Sequence, residues 1–144
     1  MAKNYDPQMH SAEHILNQTM VRMFGRGRAF SSHLERKKSK CDYHFDRDLA
    51  PGEVKEIELQ VNGIIQTDAE VREEMLSREE AAKDYDLSRL PEQTGETIRI
   101  IKIGDYDACP CIGQHVMRTN EIGVFRIIST SHENGVLRVR FRLT

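Results

Sequence analysis

Residues 9–20 read "MHSAEHILNQTM", and the way this stretch folds decides how the rest is read. Met9, Ala12, Leu16 and Met20, followed by Met23 or Phe24, recur at helical spacing, and Gly25 supplies a stop. An amphipathic helix over residues 8–24 is therefore expected. His10 and His14 stand four residues apart, so that helix projects both imidazoles from one face, one turn apart. Two readings of the pair compete. One metal ion could reach both rings, or they are two ordinary histidines on a helix.

Beyond Gly25, "GRGRAFSSHLERKKSK" (25–40) is a turn-rich basic connector with room for a short strand. "KCDYHFD" (40–46) alternates around Cys41, Tyr43 and Phe45, which suits a half-buried strand. Pro51 opens a second helix whose Val54, Ile57, Val61 and Ile64 or Ile65 face the core. "AEVREEML" (69–76) reads as a strand with Val71 and Met75 inward, and Ser77 with Glu80 forms an S-x-x-E start for a short helix. "LPEQTGE" (90–96) is a loop, and "TIRIIKIG" (97–104) a strand with β-branched Ile98, Ile100 and Ile101. "DYDACPCIGQHV" (105–116) is strand and turn. "VFRIISTSH" (124–132) and "VLRVRFRLT" (136–144) pair as a hairpin through Asn134-Gly135. The fold class expected is α+β in two layers, with two or three helices packed on a mostly antiparallel sheet.

The bulk composition agrees with one domain over residues 1–144: 38% of residues are hydrophobic and 31% charged. No run approaches the ~18 apolar residues of a membrane helix, and "MAKNYDPQ" lacks a signal-peptide pattern, so a cytoplasmic protein with no membrane partner is expected. The three cysteines (Cys41, Cys109, Cys111) point to free or metal-bound thiols, because Cys109 and Cys111 are too close for an ordinary disulfide. With 21 basic and 23 acidic residues the net charge is −2, which does not advertise strong nucleic-acid binding, and no DNA partner is expected. The cations are unevenly placed: Arg22, Arg26, Arg28, Arg36, Lys37, Lys38 and Lys40 crowd residues 22–40, while 53–86 is rich in Glu and Asp. That basic stretch is either a local phosphate-facing surface or a solvated loop.

"CPCIGQHV" (109–116) carries the second half of the chemistry. Cys111 and His115 are again four apart, with Gly113 allowing a tight turn. Together His10, His14, Cys111 and His115 make a zinc set of three imidazoles and one thiolate, provided the two segments meet in space. Glu13 is a candidate base beside the metal. Its alternative is a solvent-facing helix acid, because neighbouring helix positions point about 100° apart. Cys109 is a spare ligand, a reactive thiol or a small buried residue. His33, His44 and His132 receive no assignment.

With both motifs on the page, the sequence resembles the editing domain shared by alanyl- and threonyl-tRNA synthetases, and most closely the freestanding AlaX-type deacylases. Such domains carry an H-x-x-x-H helix near the start and a C-x-x-x-H motif late, often C-G-G-T-H-V. Here these are His10-Ser-Ala-Glu-His14 and Cys111-Ile-Gly-Gln-His115-Val116. The likeness continues through "RTNEIGVFRIISTSHENGVLRV" (118–139), and "CDYHFD" and "SREEAAKDY" resemble further family segments. The resemblance implies a helix cradled by an antiparallel sheet and Zn2+ held by the four motif residues. The implied activity is trans-editing: hydrolysis of the ester of mischarged aminoacyl-tRNA, usually seryl or glycyl esters on alanine tRNA. Mischarged tRNA is therefore the implied partner. Ser31 and Ser32 fall near the region where members sense the substrate side chain. The chain departs from the pattern at Ile112-Gly113-Gln114, at Cys109, where an acid is common, and at Ser31-Ser32-His33.

Two rivals stand beside that reading. "HSAEH" matches the H-x-x-E-H metalloprotease signature with Glu13 as base. Those enzymes need a third ligand from a distant helix and a larger scaffold, which this chain with its late C-x-x-x-H fits poorly. The other rival is a non-catalytic zinc-, tRNA- or protein-binding module of the same fold. A chain of 144 residues has no room for an activation domain as well, so tRNA charging is not expected.

Overall fold

The computed structural model describes residues 6–88, 90 and 95–144; most of the expected loop at 90–96 lies outside them. Helix α1 runs Pro7–Phe24. Its start is set by Asp6, whose carboxylate accepts from the N–H groups of Gln8 (3.0 Å) and Met9 (3.1 Å), and by Pro7 in the first turn. Gly25 ends it at φ 66°, donating its N–H to the Val21 carbonyl at 2.9 Å. Helix α2 spans Pro51–Gln66 and buries Ile57, Val61 and Ile65. Ala50 has no side-chain acceptor to cap it, so Glu53 completes half a capping box by accepting from the Ala50 N–H at 2.8 Å. Helix α3, Arg78–Asp84, begins where the S-x-x-E spacing predicts, with the Ser77 hydroxyl accepting from the Glu80 N–H at 3.1 Å.

The strands are β1 (Ser31–His33), β2 (Ser39–His44), β3 (Val71–Ser77), β4 (Thr97–Ile103), β5 (Asp107–Pro110), β6 (Phe125–Glu133) and β7 (Val136–Leu143). They form two antiparallel sheets, ordered β1-β2-β7-β6 and β3-β4-β5, where the sequence reading expected one. Thr119–Ile122 forms a 3-10 turn between β5 and β6. The β6–β7 hairpin turns through Asn134 (φ 52°) and Gly135 (φ 78°), both left-handed as a type I′ turn demands.

The main core lies between α1 and α2 on one side and the inner face of the four-stranded sheet on the other. Met9, Ala12, Ile15, Leu16 and Met20 meet Cys41, Tyr43, Ile57, Val61, Phe125, Leu137, Val139 and Phe141 there, all nearly inaccessible. A smaller cluster under α3 joins Ala81 to Ile98 and Ile100. Met75 is a correction to the sequence reading. Val71 packs on the main core, but Met75 is 56% exposed, because β3 is an edge strand that outruns what covers it.

Helix α1 departs from the amphipathic expectation in a way that matters for function. Its apolar face is buried as predicted, but so are His10, Ser11, Glu13, His14, Asn17 and Thr19. A helix polar on one side yet buried all round places polar atoms where they must find protein partners. Those partners outline the site.

Candidate metal centre

Strand β5 and the segment after it approach the polar side of α1. Alternation along β5 turns Asp107 and Cys109 to one face, opposite Ile103 and Ile101 of β4. Cys111 continues the register, its N–H donating to the Arg99 carbonyl at 3.1 Å. A period of two therefore aims Asp107, Cys109 and Cys111 at the helix that carries the histidines.

The result brings four of the sequence candidates together. One donor atom from each of His10, His14, Cys111 and His115 lies within 4.8 Å of all the others. The Cys111 Sγ is 3.2 Å from His10 Nε2 and 3.4 Å from His115 Nε2. The three imidazole rings have centroids 4.2–5.0 Å apart. Donors this close, three ring nitrogens and one sulfur, fit a tetrahedral metal site.

The outer ring nitrogens tell which atoms face the cluster. His10 Nδ1 lies 3.1 Å from the Gln114 carbonyl oxygen. A carbonyl can only accept, so Nδ1 donates to it, and Nε2 is the ring nitrogen that faces the Cys111 sulfur. His115 Nδ1 is 3.3 Å from the Ser11 hydroxyl, which also accepts the Val116 N–H at 3.0 Å. His14 Nδ1 is 3.5 Å from Asp107 Oδ2, an ion-pair contact too long for a formed hydrogen bond. His10 and His115 are thus oriented by a second group, as metal-bound histidines usually are, and the Asp107 carboxylate faces His14.

The electrostatics favour the ligating form of the thiol. Burial alone would push the Cys111 thiol up, but His10, His115 and His14 around it outweigh burial and hold it down at about 3. Burial would likewise depress His14, yet Asp107 and Cys111 raise it to about 9. His115 falls to about 4, led by burial. Asp107, with its side chain fully buried, is opposed by burial and still held below the usual carboxylate range by His14 and Arg28. Arg28 grips it at 2.7 and 3.3 Å, and Gln18 donates to the same carboxylate at 3.2 Å.

The loop from 111 to 118 is tied down along its length. Arg99 donates to the Gly113 carbonyl at 2.7 Å, Val116 enters the main core, and Met117 accepts from the Val71 N–H at 2.9 Å.

Glu13 is only 8% exposed, which overturns its solvent-facing alternative; Oε1 stands 3.9 Å from His10 Nε2. Cys109 is partly buried outside the quartet, and burial pushes its thiol up to about 12, the opposite of a reactive cysteine. Ser32 faces inward and donates to Cys41 Sγ at 3.6 Å, whereas Ser31 is exposed. His33 pairs with Glu35, His44 stacks on Phe30 and His132 meets the Phe45 carbonyl, all apart from the cluster. Asp107, Ser11 and Arg99 support the site without having been singled out, and Arg28 and Gln114 had been named only as a cation of the basic stretch and a departure from the family pattern. The one signal in the sequence was the alternation D-x-C-x-C at 107–111, which shares a face only if read as a strand.

Comparison with known proteins supplies the family. Residues 98–139 match the model described as "Threonyl and Alanyl tRNA synthetase second additional domain". That segment runs from β4 through the Cys111–His115 loop into β7. Over most of its length the chain is similar to alanine–tRNA ligases. It is 35% identical over 123 residues to that of Coxiella burnetii strain Dugway 5J108-111, covering 85% of this chain and 14% of the ligase. It is 32% identical over 132 residues to that of Salinispora tropica, covering 90% and 15%. It is 35% identical over 136 residues to that of Halorubrum lacusprofundi, covering 92% and 14%. The chain thus spans about one seventh of the length of these relatives, corresponding to their 14% and 15% coverage. No helix among the described residues is long and apolar enough to cross a membrane.

Proposed function

Because this chain belongs with the second additional domains of alanyl- and threonyl-tRNA synthetases, we propose that it is an aminoacyl-tRNA deacylase. In this reading it hydrolyses the ester of mischarged aminoacyl-tRNA, with Ser- or Gly-tRNA(Ala) as substrate, as a single cytoplasmic domain. The observation that carries the reading is the quartet: His10, His14, Cys111 and His115 meet at one point on a scaffold of that family.

His10, His14, Cys111 and His115 are the residues that would hold Zn2+, each offering one donor atom to the cluster. Bound zinc supplies a Lewis acid able to polarise an ester carbonyl or acidify a water. Glu13, buried beside His10, would take the proton of the attacking water. His10 and His14 are buried and Cys111 and His115 partly so, and that burial strengthens each of these interactions.

The test combines metal analysis with single-turnover deacylation of Ser- and Gly-tRNA(Ala). Stoichiometric zinc and ester loss well above the uncatalysed rate are expected. Glu13→Gln should slow hydrolysis by about 10²–10⁴-fold while zinc stays bound. Ester loss no faster than in buffer, over a panel of mischarged tRNAs, defeats the reading.

A second reading has one observation in its favour. Four protein donors complete a tetrahedron, which is the pattern of structural zinc, so the fold would serve as a zinc-bearing tRNA- or protein-binding module. Retained tRNA binding with no hydrolysis selects it.

A further inference from the structure

The four-stranded sheet has a second face. Its inner residues pack on α1 and α2; no element among the described residues packs over the outer ones. Strand alternation and register identify the polar members of that face as Ser31 and His33 on β1, Lys40, Asp42 and His44 on β2, Arg138, Arg140 and Arg142 on β7, and Arg126, Ser129, Ser131 and Glu133 on β6, with Val136 and the bulged Ile128 as apolar neighbours. Lys40 sits directly opposite Arg140, and Arg126 directly opposite Arg142. Like charges in direct register weaken a sheet. Asp42 is occupied by Arg138 at 2.8 and 2.9 Å; its carboxyl is held below the ordinary range by Arg138 first, and by Lys40 and Arg140 nearby. Glu133 lies at the hairpin end. Lys40, Arg126, Arg140 and Arg142 have no ion-pair partner among the described residues. Arg36, Lys37 and Lys38 stand exposed at the β1–β2 turn, extending the row past one edge.

A chain of net charge −2 therefore concentrates unpaired cations on one rigid, uncovered surface and sets them against each other. We propose that this outer face, centred on Lys40, Arg126, Arg140 and Arg142, holds the phosphate backbone of RNA. The array is spaced by about 5 Å across strands and about 7 Å along them. It presents several charges at once to a polyanion, and arginine forks match phosphate oxygens. Counterion release from the RNA repays the repulsion stored in the free sheet. Phe30, 40% exposed, stacks on His44 of the same face with centroids 4.1 Å apart, adding aromatic surface of the kind unpaired bases use. The inference rests on the proposed function only for naming the RNA as tRNA.

The experiment measures binding of an uncharged tRNA transcript by fluorescence anisotropy between about 50 and 200 mM salt. Arg126→Gln/Arg140→Gln/Arg142→Gln should weaken binding at the low-salt end by about 10–100-fold. The slope of log K against log salt should shrink by about 2–3. Its melting temperature should not fall, since repulsion is relieved. Arg142→Glu alone, at an exposed position, should show about one unit of slope and guards against a misfolded triple variant. Arg72→Gln/Lys102→Gln, on the other sheet, is the control for charge removed elsewhere and should keep the parent slope. An unchanged slope in the triple variant, an equal loss in the control, or a parent that binds no tRNA overturns the proposal. So does a triple variant that loses binding to phosphatidylserine vesicles or polyglutamate while keeping tRNA. Uncharged tRNA carries no ester, so failure of the deacylation assay leaves this measurement intact, and the reverse also holds.

Discussion

The two halves of the donor quartet have the same spacing and opposite origins. His10 and His14 are four apart on a helix, and Cys111 and His115 are four apart on an irregular loop. The helical pair is placed by local rules: an Asp6 cap, Pro7, a glycine stop and an apolar stripe. Within the helix, spacing alone puts the two imidazoles on one face. The loop pair has no such geometry of its own. Its position is the sum of tertiary contacts from Arg99, Ser11, Val71 and the core around Val116. An identical i, i+4 pattern is thus nearly self-sufficient in one half and wholly borrowed in the other.

The strongest way to break that comparison is to remove one donor from each half. Cys111→Ser and His14→Ala should each weaken zinc binding by more than about 100-fold, since altering an outer partner alone costs about 10–100-fold. Calorimetric zinc titration checks it; a helical variant that keeps near-parent affinity would show that the loop half binds unaided. Asp107→Asn comes next. It keeps the shape but removes the charge that faces His14 and Arg28, so zinc affinity should fall about 10–100-fold. Arg28 would lose its buried counter-charge, so the apo protein should also melt several degrees lower.

Ser11→Ala touches the seam between the halves. It strips the acceptor for the Val116 N–H and the partner of His115, in a position with no exposed surface. An unsatisfied buried N–H costs about 1–3 kcal/mol. Amide exchange should quicken by roughly tenfold or more across 111–118 and remain near parent values in α1. Equal loss of protection in both would mean the helix depends on the loop as much as the loop on the helix.

The same contrast explains what could be read from the sequence. The α1 helix, its glycine end, the Ser77–Glu80 cap and the Asn134-Gly135 turn are written in neighbouring residues, and all four are seen. The split into two sheets is not, because strand pairing between β2 and β7 or β3 and β4 joins segments far apart in the chain. Periodicity also misleads where a polar face is buried: Glu13 reads as a surface acid but lies 8% exposed beside His10. Asp107, Ser11 and Arg28 carry no motif, since their roles exist only once α1 and β5 are side by side. The four donor candidates were legible because metal ligation needs particular side chains, whereas their orienting partners can be almost any polar group. Resemblance to a known domain added the link between two motifs that spacing alone left apart.

The smallest effect tests the local side of the comparison far from the quartet. The start of α2 is held by Glu53, which accepts from Arg47 at 2.7 and 2.9 Å and from the Ala50 N–H at 2.8 Å. Arg47 first, then that N–H, lowers its carboxyl to about 2 from an ordinary 4.5. A folded value below the unfolded one means the stabilisation is complete above about pH 4.5 and disappears as pH falls through about 2. The Arg47 side of the pair is 51% exposed to solvent screening, so the gain is modest. Glu53→Gln, which keeps an acceptor for Ala50 but drops the charge, should melt about 2 °C lower at pH 7. The gap to the parent should close between about pH 4.5 and about 2, followed by circular dichroism of the metal-free protein. Because this helix start answers only to its neighbours, amide exchange at 111–118 should be the same in both proteins across that window. A coupled change in the loop would show that the two kinds of structure are not independent.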